Sequence, residues 1–119
     1  MFILAVENSD EDLRTLKSQI RAAFPEDECK GFVDPLMAIK VFDERKPDFT
    51  IFSKDMWLID GFTFARTLRR RYSDFTGVMI SNDEGSRQDA VRFSLDYLVK
   101  PLDASELRRI WERMKEGVV

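Results

Sequence analysis

The sequence has no histidine, a single cysteine (Cys29) and no long uncharged run, and each shortage removes a class of function. Without an imidazole, a serine or thiol nucleophile has to find its base in a lysine or a carboxylate. A lone cysteine excludes an internal disulfide and suits a reducing compartment, so the cytoplasm is the expected location. No apolar stretch approaches the roughly 20 residues that cross a bilayer. The apolar opening, Met1-Phe2-Ile3-Leu4-Ala5-Val6, stops at Glu7 and lacks the basic leader of a signal peptide, so it reads as a strand. Excess positive charge is missing too. At a formal net charge of −3, no global field draws the chain to nucleic acid or an anionic membrane.

What is there is 119 residues, 44% hydrophobic and 34% charged, too apolar for disorder and long enough to bury one core. A single domain over residues 1–119 is expected, with no repeat, linker or low-complexity tract. Short β-type runs alternate with helical patterns, which predicts βαβ units and a mostly parallel sheet. The strands are read at Phe2–Val6, Cys29–Val33, Phe49–Phe52, Val78–Ser81 and Tyr97–Val99. Ser9 with Asp12 three residues on marks the start of the first helix, whose Leu13, Leu16 and Ile20 recur at helical spacing. Asp34-Pro35 supplies an N-cap and a first-turn proline for the second, which turns Ile39 and Phe42 to the core. The third runs from about Phe62 to Arg71 after the Asp60-Gly61 turn, and the fourth near Arg87 to Phe93. Asp103 with Glu106 caps the last helix, which carries Leu107, Ile110, Trp111 and Met114 on one face.

In an open parallel α/β sheet, ligands bind beyond the carboxyl ends of the strands. The residues there are Glu7-Asn8, Ser53, Ser81-Asn82 and Lys100, a set able to hold a small anion or a weak metal. Strand ends are also polar simply because they meet solvent, and composition alone favours that plainer account.

Pro47-Asp48, Asp60-Gly61, Ser81 and Asp96-Tyr97-Leu98-Val99-Lys100-Pro101, in this order and spacing, resemble the CheY-like receiver domain of bacterial response regulators from Met1 to about Lys115. The segment Gly31-Phe32-Val33-Asp34-Pro35-Leu36 is most similar to the LytR/AlgR group, whose receivers usually precede a DNA-binding domain. The resemblance implies a doubly wound, flavodoxin-like (βα)5 fold with strand order 2-1-3-4-5. It also implies an aspartyl phosphoacceptor closing strand three and a magnesium ion held by an acidic pair after strand one. Counting from both flanking dipeptides, the acceptor position falls on Ser53, and the acidic pair on Glu7 and Asn8. Ser81 stands at the hydroxyl position, Lys100 at the lysine, and Tyr97 at the aromatic that swings inward in active receivers.

The frame is therefore present without its usual chemistry, and the expectation is a degenerate receiver that catalyses nothing and signals through protein contacts. No cofactor is expected beyond weak magnesium. Lys100 is the only base within reach of Ser53, and it is expected to hydrogen-bond Ser53 or to pair with Glu7. Asp55 is the alternative acceptor, two residues on, although its spacing to Asp60-Gly61 argues against it. Met56-Trp57-Leu58-Ile59 puts four apolar residues in a loop. Either Trp57 folds over the vacated pocket with Ile59 beneath the third helix, or the patch stays exposed and docks a partner. The fourth helix, strand five and the last helix form the face on which a signalling protein or a second copy would sit, with Arg87, Arg92, Asp96 and Arg109 available for charge pairs. Ser94 stands where a helix-ending glycine is common, which predicts a displaced or frayed fourth helix. The basic helix ends, Arg66 with Arg69–Arg71 and Arg108, Arg109, Arg113 with Lys115, complement helix dipoles, so direct nucleic-acid binding is not expected. Three alternatives remain: a working phospho-receiver using Asp55 or a modified Ser53, a receiver excised from a longer DNA-binding regulator, and a small-molecule site in the vacated pocket.

Overall fold

The computed structural model describes residues 1–117. Five parallel strands, β1 (Phe2–Val6), β2 (Glu28–Phe32), β3 (Phe49–Ser53), β4 (Val78–Ser81) and β5 (Asp96–Val99), lie in the order β2-β1-β3-β4-β5. The connecting helices are α1 (Asp10–Ala23), α2 (Pro35–Glu44), α3 (Gly61–Arg71), α4 (Arg87–Arg92) and α5 (Ala104–Lys115). This is the α/β flavodoxin-like order that the resemblance implies.

Alternation along the buried strands divides the core in two, because successive side chains face opposite sides of a sheet. Leu4, Val6, Phe52 and Met79 pack with Phe42 of α2, Phe64 and Leu68 of α3 and Ala90 of α4. Ile3, Ala5, Ile51 and Ile80 pack with Leu16 and Ile20 of α1 and Leu107 and Ile110 of α5. Both faces of β1, β3 and β4 are covered, which is why these strands read as continuous apolar runs, whereas the edge strand β2 is half-buried at most.

The helix starts follow from their caps. The Ser9 hydroxyl accepts from the Asp12 amide at 3.1 Å, and the Asp34 and Asp60 carboxylates accept from Leu36 and Thr63. At the last helix Asp103 takes both the amide and the hydroxyl of Ser105, so Ser105 rather than Glu106 completes that cap. Asp48, from the Pro47-Asp48 pair, accepts from the Phe2 amide at 2.7 Å and fixes the entry of β1 beside β3.

Several element ends differ from the sequence reading. β2 begins and ends one residue earlier, at Glu28 and Phe32, because it pairs with Phe2–Val6 from its first residue. β3 continues to Ser53, which pairs with Ile80. The third helix starts at Gly61, directly after its cap Asp60, and β5 begins at Asp96 opposite Val78. The fourth helix keeps only Arg87–Arg92, behind a 3₁₀ turn at Glu84–Ser86, and Ser94 adopts a left-handed φ of 55° to leave it.

Gly61 sits where no side chain fits. A Cβ there would lie 2.7 Å from the Ser53 carbonyl oxygen and 2.9 Å from Lys54 Cα. The Gly61 amide instead donates to the Lys54 carbonyl at 2.7 Å, so α3 begins against the end of β3.

Candidate functional site

The parallel order brings the carboxyl ends of β1, β3, β4 and β5 side by side, and with them Glu7, Ser53, Ser81 and Lys100. Glu7, Ser53 and Ser81 are buried. Asn8 and Asp55 are exposed on the flanking loops.

Lys100 resolves the two partners open to it. Its Nζ lies 2.5 Å from Glu7 Oε2, and the Glu7 side chain is only 2% exposed. The other Glu7 oxygen accepts from the Asn8 amide at 3.0 Å. Both carboxylate oxygens are thus engaged within the protein, and the lysine ammonium is turned to β1. On the α1 side of this pair lies a cavity of about 260 Å³, lined by Glu7, Asp12, Thr15, Gln19, Asn82 and Lys100 among others.

The loop after β3 divides its apolar residues. Met56 and Ile59 are half-buried against the α2–α3–α4 core, whereas Trp57 and Leu58 stay exposed. Trp57 is 55% exposed, so it does not fold over the site. Leu58 takes a left-handed φ of 71°, which places two neighbouring apolar side chains on the solvent side.

Tyr97 is inward. It is 4% exposed, packs with the α2–α3–α4 core, and its hydroxyl donates to the Asp83 carbonyl. The Arg87 guanidinium stands 5.3 Å from the Tyr97 ring centre and donates to the Tyr97 carbonyl at 3.0 Å. The same guanidinium holds Glu84 through two nitrogens.

The charge pairs on the face of α4, β5 and α5 are internal. Asp96 pairs with Arg113, Arg92 with Asp89 and Arg87 with Glu84, each within one helix turn or between β5 and α5. Of the four charged residues assigned to that face, Arg109 alone is in no ion pair among the described residues. The basic end of α3 is likewise used within the fold: Arg69 donates to the carbonyls of Phe75 and Phe93, and Arg71 pairs with Asp43.

Two residues at the site escaped the sequence reading. Lys54 follows Ser53, and its Nζ approaches Asp83 Oδ2 at 3.4 Å. Asp83 also accepts from the Gly85 amide at 2.7 Å and the Ser86 hydroxyl at 3.2 Å, and its own amide donates to the Ser81 hydroxyl at 3.1 Å. These bonds, led by that from Gly85, hold the Asp83 carboxyl below the usual carboxylate range. The signal was present as Asp83-Glu84-Gly85-Ser86, an aspartate followed two residues on by a glycine amide, the pattern of an Asx turn.

No family model matches the chain. A curated relative, the cyclic di-GMP phosphodiesterase response regulator RpfG of Xanthomonas campestris pv. campestris (strain 8004), is 32% identical over 111 residues, covering 89% of this chain. The chain spans 29% of that relative's length. Among solved structures, the chemotaxis response regulator CheY4 of Vibrio cholerae superposes with a TM-score of 0.78 at 20% identity, covering 94% of this chain and 96% of that one. The receiver domain of the sensor histidine kinase PA1611 of Pseudomonas aeruginosa PAO1, solved with magnesium in its active-site cleft, reaches 0.79 at 20% identity and 94% coverage of both chains. With five parallel strands in the order β2-β1-β3-β4-β5, helices on both faces and these neighbours, the chain has the CheY-like receiver fold.

Proposed function

We propose that this chain is a degenerate response-regulator receiver that signals by protein contact without aspartyl phosphorylation and without catalysing a reaction. The observation that carries this reading is the state of the β3 end. Ser53, a buried hydroxyl, stands at the acceptor position, and the lysine that would meet a phosphoryl group is paired with Glu7 instead. A serine has no carboxylate to form an acyl phosphate, and no imidazole exists to activate its hydroxyl. The donor set fits magnesium poorly. Its one buried carboxylate is engaged by Lys100 and the Asn8 amide, while Asn8 is neutral. Asp55 is exposed on the loop, which supports Ser53 rather than Asp55 as the residue at the acceptor position.

A protein partner, in the cytoplasm, meets the site through surfaces beside it. Trp57 and Leu58 offer an apolar contact next to the β3 end, and Val91 on α4 is 65% exposed on the face shared with Arg92 and Arg109. No described helix is long and apolar enough to cross a membrane. A further output domain in the whole protein is a second reading, favoured by the 29% span of the curated relative.

The test is intact mass after incubation with acetyl phosphate and magnesium, beside an ordinary receiver. The expected result is no added phosphoryl mass on this chain and a clear adduct on the control. An adduct here overturns the reading and directs substitution to Asp55 and Ser53.

A further inference from the structure

Tyr97 is buried and inward although the site lacks the acceptor that would drive it there, so something else in the chain holds it. The contacts of the β4–α4 segment identify the holder. The Tyr97 hydroxyl is bound to the main chain of Asp83, and the position of that main chain is set by the Asp83 side chain and amide. The side chain closes the turn through Gly85 and Ser86, the amide is tied to Ser81 at the end of β4, and Lys54 reaches across from the end of β3. Lys54 is itself fixed, because its amide donates to Ile80 at 2.8 Å and its carbonyl accepts from Gly61 at 2.7 Å.

From this we infer that Lys54 and Asp83 form a built-in clasp that holds the β4–α4 turn against the end of β3 and keeps Tyr97 inward without any phosphoryl group. The inference rests on the phosphorylation-independent reading and adds its regulation: the switch is set by an ion pair within the chain. Opening of the clasp frees the Asp83 carbonyl to move away from β5, and the Tyr97 ring loses its hydroxyl acceptor. Arg87 then remains as a secondary hold, through the ring face and the Tyr97 carbonyl. A two-state ring responds to the clasp only by the free energy with which the clasp distinguishes inward from outward. For a partly exposed lysine–carboxylate pair, that is a two- to fivefold change in their ratio, to order of magnitude.

The experiment uses the full chain carrying 3-fluorotyrosine, with Tyr72→Phe assigning the two tyrosine signals, and reads ¹⁹F shift and protection from a soluble paramagnetic probe. In the unaltered chain the Tyr97 signal is expected to be protected. Lys54→Met, which keeps the stem and removes the charge, is expected to raise the outward-to-inward ratio about two- to fivefold. Asp83→Ala, which removes the turn bonds as well, is expected to raise it about tenfold or more. Thermal unfolding of each variant confirms that it is folded. A folded Lys54→Met that leaves Tyr97 as protected as in the unaltered chain overturns the clasp, whatever Asp83→Ala does, because Asp83→Ala also removes the turn bonds to Gly85 and Ser86. Beryllofluoride with magnesium is added in a separate arm. A shift of the Tyr97 signal there overturns the phosphorylation-independent reading, whereas the clasp itself stands or falls on Lys54→Met.

Discussion

Glu7 and Lys100 form the most consequential pair in the molecule, because one partner has almost no access to water. A carboxylate 2% exposed cannot be solvated, and its ammonium partner at 2.5 Å carries the compensation. Lys100→Ala therefore leaves a buried charge alone, and the loss of stability is expected at about 2–4 kcal/mol by urea unfolding, somewhat below the range for fully buried pairs because Lys100 is partly exposed. A second substitution, Glu7→Gln, removes the stranded charge and is expected to restore most of that loss. A double variant as unstable as Lys100→Ala would show that the cost lay in lost packing of the lysine stem.

Asp83 is a residue-scale case of the opposite kind, exposed and therefore readable by titration. Its carboxyl is held low, first by the Gly85 amide, then by Ser86 and Lys54. A depressed folded value means that the stabilising contribution is present above the unfolded carboxylate range, near 3.9, and is lost as pH falls through the lowered folded value. The ¹³C shift of the Asp83 carboxyl is expected to titrate below the ordinary range, and to move up toward it in Lys54→Met and in Ser86→Ala. An ordinary midpoint in the unaltered chain would mean that these bonds are not held in solution. Glu7, Ser53, Ser81 and Lys100 could be singled out from their place at strand ends, and Tyr97, inside β5, only through the resemblance. Lys54 was not, because its importance comes from a contact between two loops that no local pattern encodes, and of Asp83 only the turn to Gly85 was open to a local reading.

At the scale of elements, α4 departs furthest from its neighbours. It has six residues, too few to be stable by its own hydrogen bonds, and it is held by Ala90 in the core and by the turn that Asp83 closes. Its exit uses Ser94 at a φ of 55°, where a Cβ is unfavourable by about 1–2 kcal/mol. Ser94→Gly relieves that strain at the expense of a more flexible unfolded chain, and the net effect is expected to be a gain of about 0.5 kcal/mol, read as a raised unfolding midpoint. A loss of stability would show that the Ser94 side chain contributes more than its backbone costs. The strand and helix periods were clear in the sequence because both sheet faces are buried. Element ends were less so: whether Ser53 closes β3 or opens the loop is decided by its pairing with Ile80, a contact remote in sequence.

Across the whole molecule the sheet separates two apolar clusters, one beneath α2, α3 and α4, the other beneath α1 and α5, and the strands contribute alternate residues to each. The Tyr97 ring belongs to the first cluster, together with the aromatic chain of Phe42, Phe52, Phe64 and Phe75. A cavity made in the first cluster should therefore disturb the switch as well as stability, whereas one made in the second should affect stability alone. Phe64→Ala and Leu107→Ala, both at fully buried positions, are each expected to cost about 3–5 kcal/mol in a single cooperative transition. Only Phe64→Ala is expected to broaden or shift the fluorotyrosine signal of Tyr97 under folding conditions. Equal disturbance of that signal by Leu107→Ala would mean that strain passes freely through the sheet, and that the two faces do not behave as separate mechanical units.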